Sequence, residues 1–215
     1  MSINEMVEKI IFQFSIRPNR ACPLLIGIDG LGGSGKTTFV KEIEQALINQ
    51  NCQAVTFHLD DHIVERKKRY ETGHEEWFEY YYLQWDVNSL TANLFEPLQR
   101  GYNNIFLAFY DKLTDSNVTK QTTVTSDSIV LIEGIFLQRH EWKRFYDIVF
   151  YLDCPCELRH ERVLNRDLYI GDYKERLDKY QRRYWLGEKH YIDIVKPNIN
   201  ADVVLKRINS SITRD

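Results

Sequence analysis

Long hydrophobic runs are absent from this sequence of 215 residues. No apolar stretch reaches the roughly 20 residues that a membrane-spanning helix needs. The one N-terminal apolar stretch, Ile10–Phe14, is too short and too interrupted for the core of a secretory signal peptide. We therefore expect a cytoplasmic protein without a membrane partner.

Cysteine is scarce, with four residues in the whole chain. Cys22 and Cys52 stand alone, and Cys154 and Cys156 have neither the spacing nor the second pair of a zinc knuckle. This pattern argues against a structural zinc site, and we interpret the cysteines as reduced thiols in the core or in loops.

An excess of positive charge is absent as well, because 28 Lys and Arg are set against 31 Asp and Glu, for a net charge of −3. No global field would draw the chain to nucleic acid. A small anionic ligand needs only local positive charge. We therefore expect a small-molecule ligand and no nucleic-acid partner.

The residue types that are present are those of a folded domain. Hydrophobic residues make up 43% of the chain and charged residues 27%, and 13 Tyr and 11 Phe supply much of the apolar bulk. Such a composition is typical of a globular protein. Without repeats or interdomain linkers, residues 1–215 are predicted to form a single domain that can bury a substantial core.

Apolar runs alternate with helical patterns along the chain. The runs predict buried strands at Leu24–Ile28, Gln53–Leu59, Ser128–Gly134, Asp147–Asp153 and Asp202–Leu205. Helices are predicted at Ile3–Phe14, Thr37–Asn49, Glu75–Gln99, Pro155–Asp167 and Lys174–Gly187. This order favours an α/β fold with a doubly wound, mainly parallel sheet and helices on both faces. Residues 1–20 are predicted to form an N-terminal helix and its connection.

One pair of segments departs from this alternation. Ile105–Tyr110 and Thr122–Thr125 have strand patterns and are separated by a polar turn. They predict a β-hairpin inserted at about residues 102–125.

The segment Gly30–Thr37 has the sequence and spacing of a phosphate-binding P-loop, and it lies between a predicted strand and a predicted helix. Glycines let successive N–H groups turn toward phosphate oxygens, and the helix N-terminus adds positive potential. Lys36 would contact the terminal phosphates and the Thr37 hydroxyl would bind Mg²⁺. The loop predicts a site for ATP and Mg²⁺ formed by Gly30, Gly32, Gly33, Ser34, Gly35, Lys36, Thr37 and Thr38.

Carboxylates follow two of the predicted strands. Asp60 and Asp61 end one strand, and Glu133 ends another. In a parallel sheet these ends open onto the crevice that holds the phosphates. Phosphoryl transfer uses carboxylates to bind the metal and to position the attacking hydroxyl. Ordinary capping of strand ends is the alternative for all three residues.

Arg159, Arg162 and Arg166 lie three and four residues apart and so share one face of a predicted helix. Their guanidinium groups could hold phosphates as charge develops during transfer, with Arg166 as the first candidate. Glu157 and Glu161 lie nearby, so a solvated face with ion pairs is the alternative.

In this order along the chain, the motifs resemble the uridine kinase-like group of P-loop kinases, which includes pantothenate kinase and phosphoribulokinase. The resemblance extends from about Leu24 to Leu205. It rests on Gly27–Gly30, Ser34–Thr38, Asp60, Tyr110, Asp111, Ile132–Ile135, Arg159, Arg162, Arg166, Asp167 and Asn200–Val204. It implies ATP as donor, an Asp at the position of Asp60 that accepts the proton of the substrate hydroxyl, and a Glu at the position of Glu133 beside Mg²⁺. It also implies a helical lid at about residues 167–187.

The chain departs from the family pattern around the lid and the acceptor. Asp167–Tyr173 stands where uridine kinases carry an Arg-Gly-Arg lid, and Thr114 stands near the place of an expected histidine. Tyr80 falls where those kinases contact a base or sugar, although helical core packing explains its aromatic segment equally well. Further substrate candidates are Asp61, Tyr110, Asp111 and Arg159.

Together, these features predict a kinase that transfers the γ-phosphate of ATP to a hydroxyl of a small molecule. The catalytic candidates are Asp60, Lys36 and Arg166, and the metal candidates are Thr37, Glu133 and Asp60. A nucleoside is the first acceptor class that the resemblance implies. Pantothenate or a sugar phosphate, and an ATPase module without an acceptor, are the alternatives. Related kinases form dimers or tetramers, so the resemblance also implies a homo-oligomer.

Overall fold

A computed structural model describes residues 2–17 and 21–206. Within them the strands are β1 (Leu24–Gly30), β2 (Gln53–His58), β3 (Asn104–Asp111), β4 (Ser116–Thr123), β5 (Ser128–Gly134), β6 (Ile148–Asp153) and β7 (Val203–Lys206). Five of them form one parallel sheet in the order β2-β5-β1-β6-β7, and β3 pairs with β4 in a separate antiparallel hairpin. The predicted parallel sheet and the predicted hairpin are both confirmed.

The helices of the described residues are α1 (Ile3–Ile16), α2 (Lys36–Asn49), α3 (Arg66–Arg69), α4 (Glu76–Tyr82), α5 (Val87–Leu90), α6 (Glu96–Gln99), α7 (Cys156–Arg166), α8 (Tyr173–Lys179), α9 (Trp185–Val195) and α10 (Pro197–Asn200). Segments of wider π-helical turn join α5 to α6 at Thr91–Phe95 and α8 to α9 at Tyr180–Tyr184. Short 3₁₀ turns lie at Leu59–His62, Lys143–Phe145 and Leu168–Ile170. No helix among the described residues is long and apolar enough to cross a membrane.

Helices cover both faces of the sheet, and the alternation of side chains along β5 shows how. Ile129 and Leu131 point into the core that contains residues of α1 and α2, whereas Val130 and Ile132 point into the core on the other face. Because successive side chains of a strand point to opposite faces, a strand that is buried on both sides is apolar throughout. The predicted helices on both faces of the sheet are therefore confirmed.

Pairing in the sheet brings the carboxyl ends of three strands together. Glu133 of β5 lies opposite Ile28 of β1 and opposite His58 of β2. The P-loop follows β1 directly, and Asp60 follows β2. The sheet therefore places the loop and the carboxylates at the same edge.

The single helix predicted at Glu75–Gln99 is wrong, because the chain breaks after α4. Asp86 accepts a hydrogen bond from the N–H of Ser89 at 2.9 Å and caps α5. The indole of Trp85 donates to the carbonyl of Leu59 at 2.8 Å, which holds the break against the 3₁₀ turn that follows β2. A helix-forming composition cannot reveal a break that a distant backbone group stabilises.

Two predicted boundaries also differ from the structure. The second hairpin strand begins at Ser116 and not at Thr122, because Asp111 accepts hydrogen bonds from Leu113 and Thr114 and closes a tight turn. The last long helix continues past Gly187 to Val195. Gly187 does not end the helix; a Cβ there would lie 2.8 Å from the ring of Tyr80, so glycine permits close helix packing.

Candidate active site

The P-loop leads into a helix N-terminus whose first backbone N–H groups have no side-chain cap among the described residues. Helix α2 begins directly after Gly35, and none of the described side chains caps its N-terminus. The first N–H groups of a helix have no acceptor within the helix, so an anion is their natural partner. Gly35 has a φ of 90°, and Gly33 has a φ of 77°, in the left-handed region that favours glycine. The loop therefore has the geometry of a phosphate cradle.

Further contacts show how tightly the loop is held. A Cβ on Gly33 would lie 2.7 Å from the carbonyl oxygen of Arg159. The hydroxyl of Ser34 is buried and has no hydrogen-bond partner among the described residues. Lys36 Nζ donates to the carbonyl of Leu31 at 3.2 Å, so its side chain folds back over the loop. A polyphosphate is a natural partner for such a set of donors.

A carboxylate from a distant helix also contacts the loop. Glu188 of α9 accepts the N–H of Gly32 at 2.7 Å through Oε1. Its other oxygen pairs with Arg159 at 2.8 Å, and Arg159 also donates to the Gly32 carbonyl at 3.1 Å. Burial raises the pKa of Glu188, although Arg159 and the Gly32 N–H oppose this effect. The pair thus connects α7 and α9 to the P-loop backbone.

An open cleft of about 1310 Å³ lies over the loop. Of the predicted site residues, those that line it are Gly32, Gly33, Gly35, Lys36, Thr37, Thr38, Asp60, Tyr80, Tyr110, Glu133, Arg162 and Arg166. The structure therefore brings the loop, two of the three strand-end carboxylates and two of the acceptor candidates into one space.

Asp60 lies in this cleft and Asp61 does not. Asp60 is exposed to the cleft, and the protein atoms around it partly desolvate its carboxylate. This desolvation raises the pKa of Asp60, and Glu133 raises it further, whereas Lys36, Lys112 and Arg166 lower it. A carboxylate whose pKa is raised toward neutrality is better suited to accept a proton.

Glu133 is buried, and one of its oxygens lies 2.8 Å from His58 Nδ1. This hydrogen bond raises the pKa of His58, against the effect of partial burial. Glu133, Asp60 and the exposed Thr37 offer hard oxygen donors in the same cleft. No group of three or more His, Cys, Asp or Glu within the described ranges could hold a metal ion alone. This donor set fits Mg²⁺, which takes one or two carboxylates and completes its shell with water and phosphates.

The candidate arginines of α7 have different surroundings. Arg166 is 65% exposed and pairs with Asp167 through two hydrogen bonds of 2.6 and 3.2 Å, and Tyr180 also donates to Asp167. Arg162 lines the cleft and donates to the Gly33 carbonyl at 3.2 Å. Arg159 turns toward the loop backbone and does not line the cleft. Arg166 and Arg162 can therefore contact a ligand in the cleft, whereas Arg159 would first have to break its ion pair with Glu188.

The residues predicted to contact the phosphate acceptor also differ in position, because some line the cleft and others do not. Tyr80 packs edge-to-face on Phe136 and Tyr184 and still lines the cleft. Tyr110 lines the cleft and donates to Asp115 at 2.8 Å. Asp111 lies outside the cleft, and its carboxylate is used in the hairpin turn.

Two buried acidic residues near the loop were missed in the sequence. Glu188 has no local signal, because the Gly32 amide that it accepts lies 156 positions away. Asp29 precedes the loop and is fully buried, where it accepts from Tyr191 at 2.6 Å and from Gln138 at 2.9 Å. An acidic residue at the end of an apolar strand was the available signal for Asp29.

Comparisons with known proteins agree with this geometry. The phosphoribulokinase / uridine kinase family model matches residues 25–214. The chain is 25% identical over 205 residues to a uridine kinase of Clostridium perfringens, covering 86% of this chain and 95% of that protein. It is 26% identical over 216 residues to a uridine kinase of Limosilactobacillus reuteri, covering 94% of each.

Solved structures show the same relationship. A structure described as a possible uridine kinase from Bacillus stearothermophilus is 41% identical, with a TM-score of 0.74, and covers 93% of this chain and 98% of that one. A D-glycerate 3-kinase from Cryptococcus neoformans has a TM-score of 0.65 over 96% of this chain and 94% of its own. At 10% identity, that second likeness shows the shared fold alone.

Proposed function

The chain belongs to the phosphoribulokinase / uridine kinase family, and we propose that it transfers the γ-phosphate of Mg²⁺-bound ATP to a hydroxyl group of a small molecule. In this step the hydroxyl oxygen forms a bond to the γ-phosphorus, and the bond to the β-phosphate oxygen breaks. ADP leaves, and Asp60 receives the hydroxyl proton.

The observation that carries the proposal is the position of Asp60 in the same cleft as the P-loop. Lys36 and Glu133 both change the pKa of Asp60, in opposite directions, so the three groups act on one another across the cleft. A base beside the terminal phosphates is what an attacking hydroxyl requires.

The donor side follows from the loop. Its free N–H groups and Lys36 would hold the phosphates, and Arg162 and Arg166 line the cleft where charge spreads during transfer. Thr37 and Glu133 are the residues proposed to hold Mg²⁺, which would neutralise phosphate charge when bound. The P-loop contact of Glu188 keeps the backbone in place for this role.

The tyrosines of the cleft suit an acceptor that is planar or rich in hydroxyl groups. Tyr70, Tyr80, Tyr110, Tyr169, Tyr180 and Tyr184 line the cleft. Tyrosine rings stack on bases and sugars, and their hydroxyls form hydrogen bonds. Because the curated relatives are named uridine kinases, a nucleoside is the first acceptor class to test.

The test is ADP release from Mg·ATP with a panel of uridine, cytidine, pantothenate, glycerate and sugar phosphates. Asp60→Asn should lower kcat by roughly 10²- to 10⁴-fold, the usual size of a general-base contribution. Asp61→Asn is the matched control, since it makes the same change one residue away and outside the cleft. Lys36→Ala should abolish turnover through loss of the donor site.

Acceptor-dependent turnover that Asp60→Asn removes and Asp61→Asn keeps would support the proposal. ADP release that is the same with and without every acceptor would contradict it and indicate an ATPase. Because the base works only when deprotonated, activity should rise with pH along a limb above the ordinary Asp pKa of about 3.9.

A further inference from the structure

Four arginines are buried among the described residues: Arg69, Arg139, Arg159 and Arg183. Three of them pair with a carboxylate, at distances of 3.1 Å to Glu141, 2.8 Å to Glu188 and 2.9 Å to Glu79. Arg69 is only 6% exposed, yet it forms no ion pair with a carboxylate among the described residues. Buried charges are normally paired because desolvation is costly, so this exception needs an explanation.

Arg69 uses only one of its nitrogens within the described part of the protein. Nε donates to the carbonyl of Val64 at 2.7 Å, whereas Nη1 and Nη2 have no hydrogen-bond acceptor there. The guanidinium lies 4.9 Å from the ring centre of Tyr70 and 5.2 Å from that of Tyr110. These rings stabilise the charge in part, but they cannot accept the bonds of its planar fork.

Arg69 also lines the cleft, and further cations converge there from separate elements. Arg66 and Lys67 come from α3, Lys112 follows β3, and Lys179 comes from α8. None of these four forms an ion pair with a described carboxylate. We call the five residues the cation cluster.

Not every cation of α3 faces the cleft, as the neighbouring Lys68 shows. Lys68 lies between Lys67 and Arg69 in α3, but it pairs with Glu65 at 2.8 Å and does not line the cleft. The same helix thus turns its paired cation outward and its unpaired cations inward.

Five carboxylates line the cleft, but Glu133, Asp167 and Glu188 are hydrogen-bonded to His58, Arg166 and Arg159. Among the described residues, this leaves Asp60 and Glu71 in the cleft against the five cations of the cluster. Glu71 lines the cleft, and Asp115 accepts the backbone N–H of Arg66 and the hydroxyl of Tyr110 from outside the cleft. Lys112 lowers the pKa of Asp60, so this member of the cluster acts directly on the proposed base. The cluster belongs to elements that follow Asp60 in the chain, whereas the P-loop precedes it.

We propose that the cation cluster binds an anionic group of the phosphate acceptor, so that the acceptor carries a phosphate or carboxylate besides the hydroxyl that is phosphorylated. A nucleoside meets this requirement only when it is itself phosphorylated. The inference rests on the kinase function proposed above. It adds that Nη1 and Nη2 of Arg69 donate hydrogen bonds to the anionic group of the substrate.

Calorimetric binding to the full chain, with the P-loop filled by Mg²⁺ and a non-hydrolysable ATP analogue, tests the cluster without turnover. The probes are two matched pairs, ribose 5-phosphate against ribose and glycerate against glycerol. The charged member should bind at least about tenfold more tightly, and added salt should weaken it. The first pair reports a phosphate preference and the second a carboxylate preference.

Lys67→Gln should weaken the charged probe by about tenfold, while Lys68→Gln should leave it unchanged. Both changes remove one exposed positive charge from the same helix turn, so neither should impair folding. Arg69→Gln should abolish the preference for the charged probe, and thermal unfolding of this variant checks that it still folds.

Equal binding of charged and neutral probes, or equal effects of Lys67→Gln and Lys68→Gln, would overturn the inference. So would an absence of binding by all four probes at millimolar concentration. The kinase function is judged separately by Asp60-dependent turnover. An active kinase that prefers neutral uridine would defeat the inference alone, whereas the absence of Asp60-dependent turnover with every acceptor of the panel would defeat the kinase function whatever the probes bind.

Discussion

Glu188 and Arg159 form an ion pair that is almost entirely removed from water, with side-chain exposures of 5% and 7%. Each also contacts the backbone of Gly32. A buried ion pair contributes little net stability compared with apolar packing, but the loss of one partner leaves an uncompensated charge. The pair therefore connects fold stability to the geometry of the P-loop.

At the residue scale, Glu188→Ala should lower the free energy of unfolding by about 3–5 kcal/mol, because Arg159 would stay buried without a partner. Denaturant unfolding followed by circular dichroism measures this change. Asp193→Ala is the control on the same helix, since it breaks the exposed pair between Lys189 and Asp193. That loss should stay below about 1 kcal/mol, and a similar loss in both variants would contradict the prediction.

The P-loop and α2 act as one element in the proposed binding of phosphate. Gly33 and Gly73 both have a positive φ, of 77° and 88°. They differ in their surroundings, because a Cβ on Gly33 would meet the Arg159 carbonyl whereas a Cβ on Gly73 would meet nothing within 4 Å. A side chain at Gly73 would therefore add backbone strain alone, whereas a side chain at Gly33 would add both backbone strain and crowding of the P-loop.

At the element scale, Gly33→Ala should weaken ATP binding by more than tenfold, since the loop must move away from Arg159. Gly73→Ala should cost about 1–2 kcal/mol of stability through strain alone and should leave ATP affinity unchanged. Titration with a fluorescent ATP analogue measures both affinities. Unchanged affinity in Gly33→Ala would show that the loop tolerates a side chain there.

Elements with strong local signals were predicted correctly. All five strands of the sheet were located, because runs such as Ile129–Ile132 are apolar on both faces. The break between α4 and α5 was missed: Asp86 is a local N-cap signal, but the contact that holds the break runs from Trp85 to the carbonyl of Leu59 in another part of the chain. Local patterns do not contain such a partner.

The whole molecule brings three strand ends, the hairpin and α8 around one cleft. A ligand that binds only this assembled state stabilises the fold by mass action. The effect depends on all of these elements together, because the cleft walls come from segments that are distant in the chain.

At the scale of the molecule, Mg·ATP at about 100 times its Kd should add about 2.7 kcal/mol of stability, which corresponds to a Tm increase of roughly 5–10 °C for a domain of this size. Differential scanning fluorimetry measures the shift. Lys36→Ala should reduce it strongly, because the lysine would contact the terminal phosphates. An equal shift in Lys36→Ala would argue against nucleotide binding at the P-loop.

The amino-acid sequence by itself determined the P-loop, the buried strands and their parallel pairing, and the order of its motifs carried the resemblance to the kinase family. These features depend on short spacings and on the periodicity of side chains, which neighbouring residues set. The tertiary structure decided which side chains surround the P-loop and line the cleft. It placed Asp60 inside the cleft and Asp61 outside it, brought Glu188 to Gly32, and buried Arg69 without an ion pair to a carboxylate of the described residues. Those outcomes depend on contacts between residues far apart in the chain, and such contacts form only when the two faces of the sheet are packed.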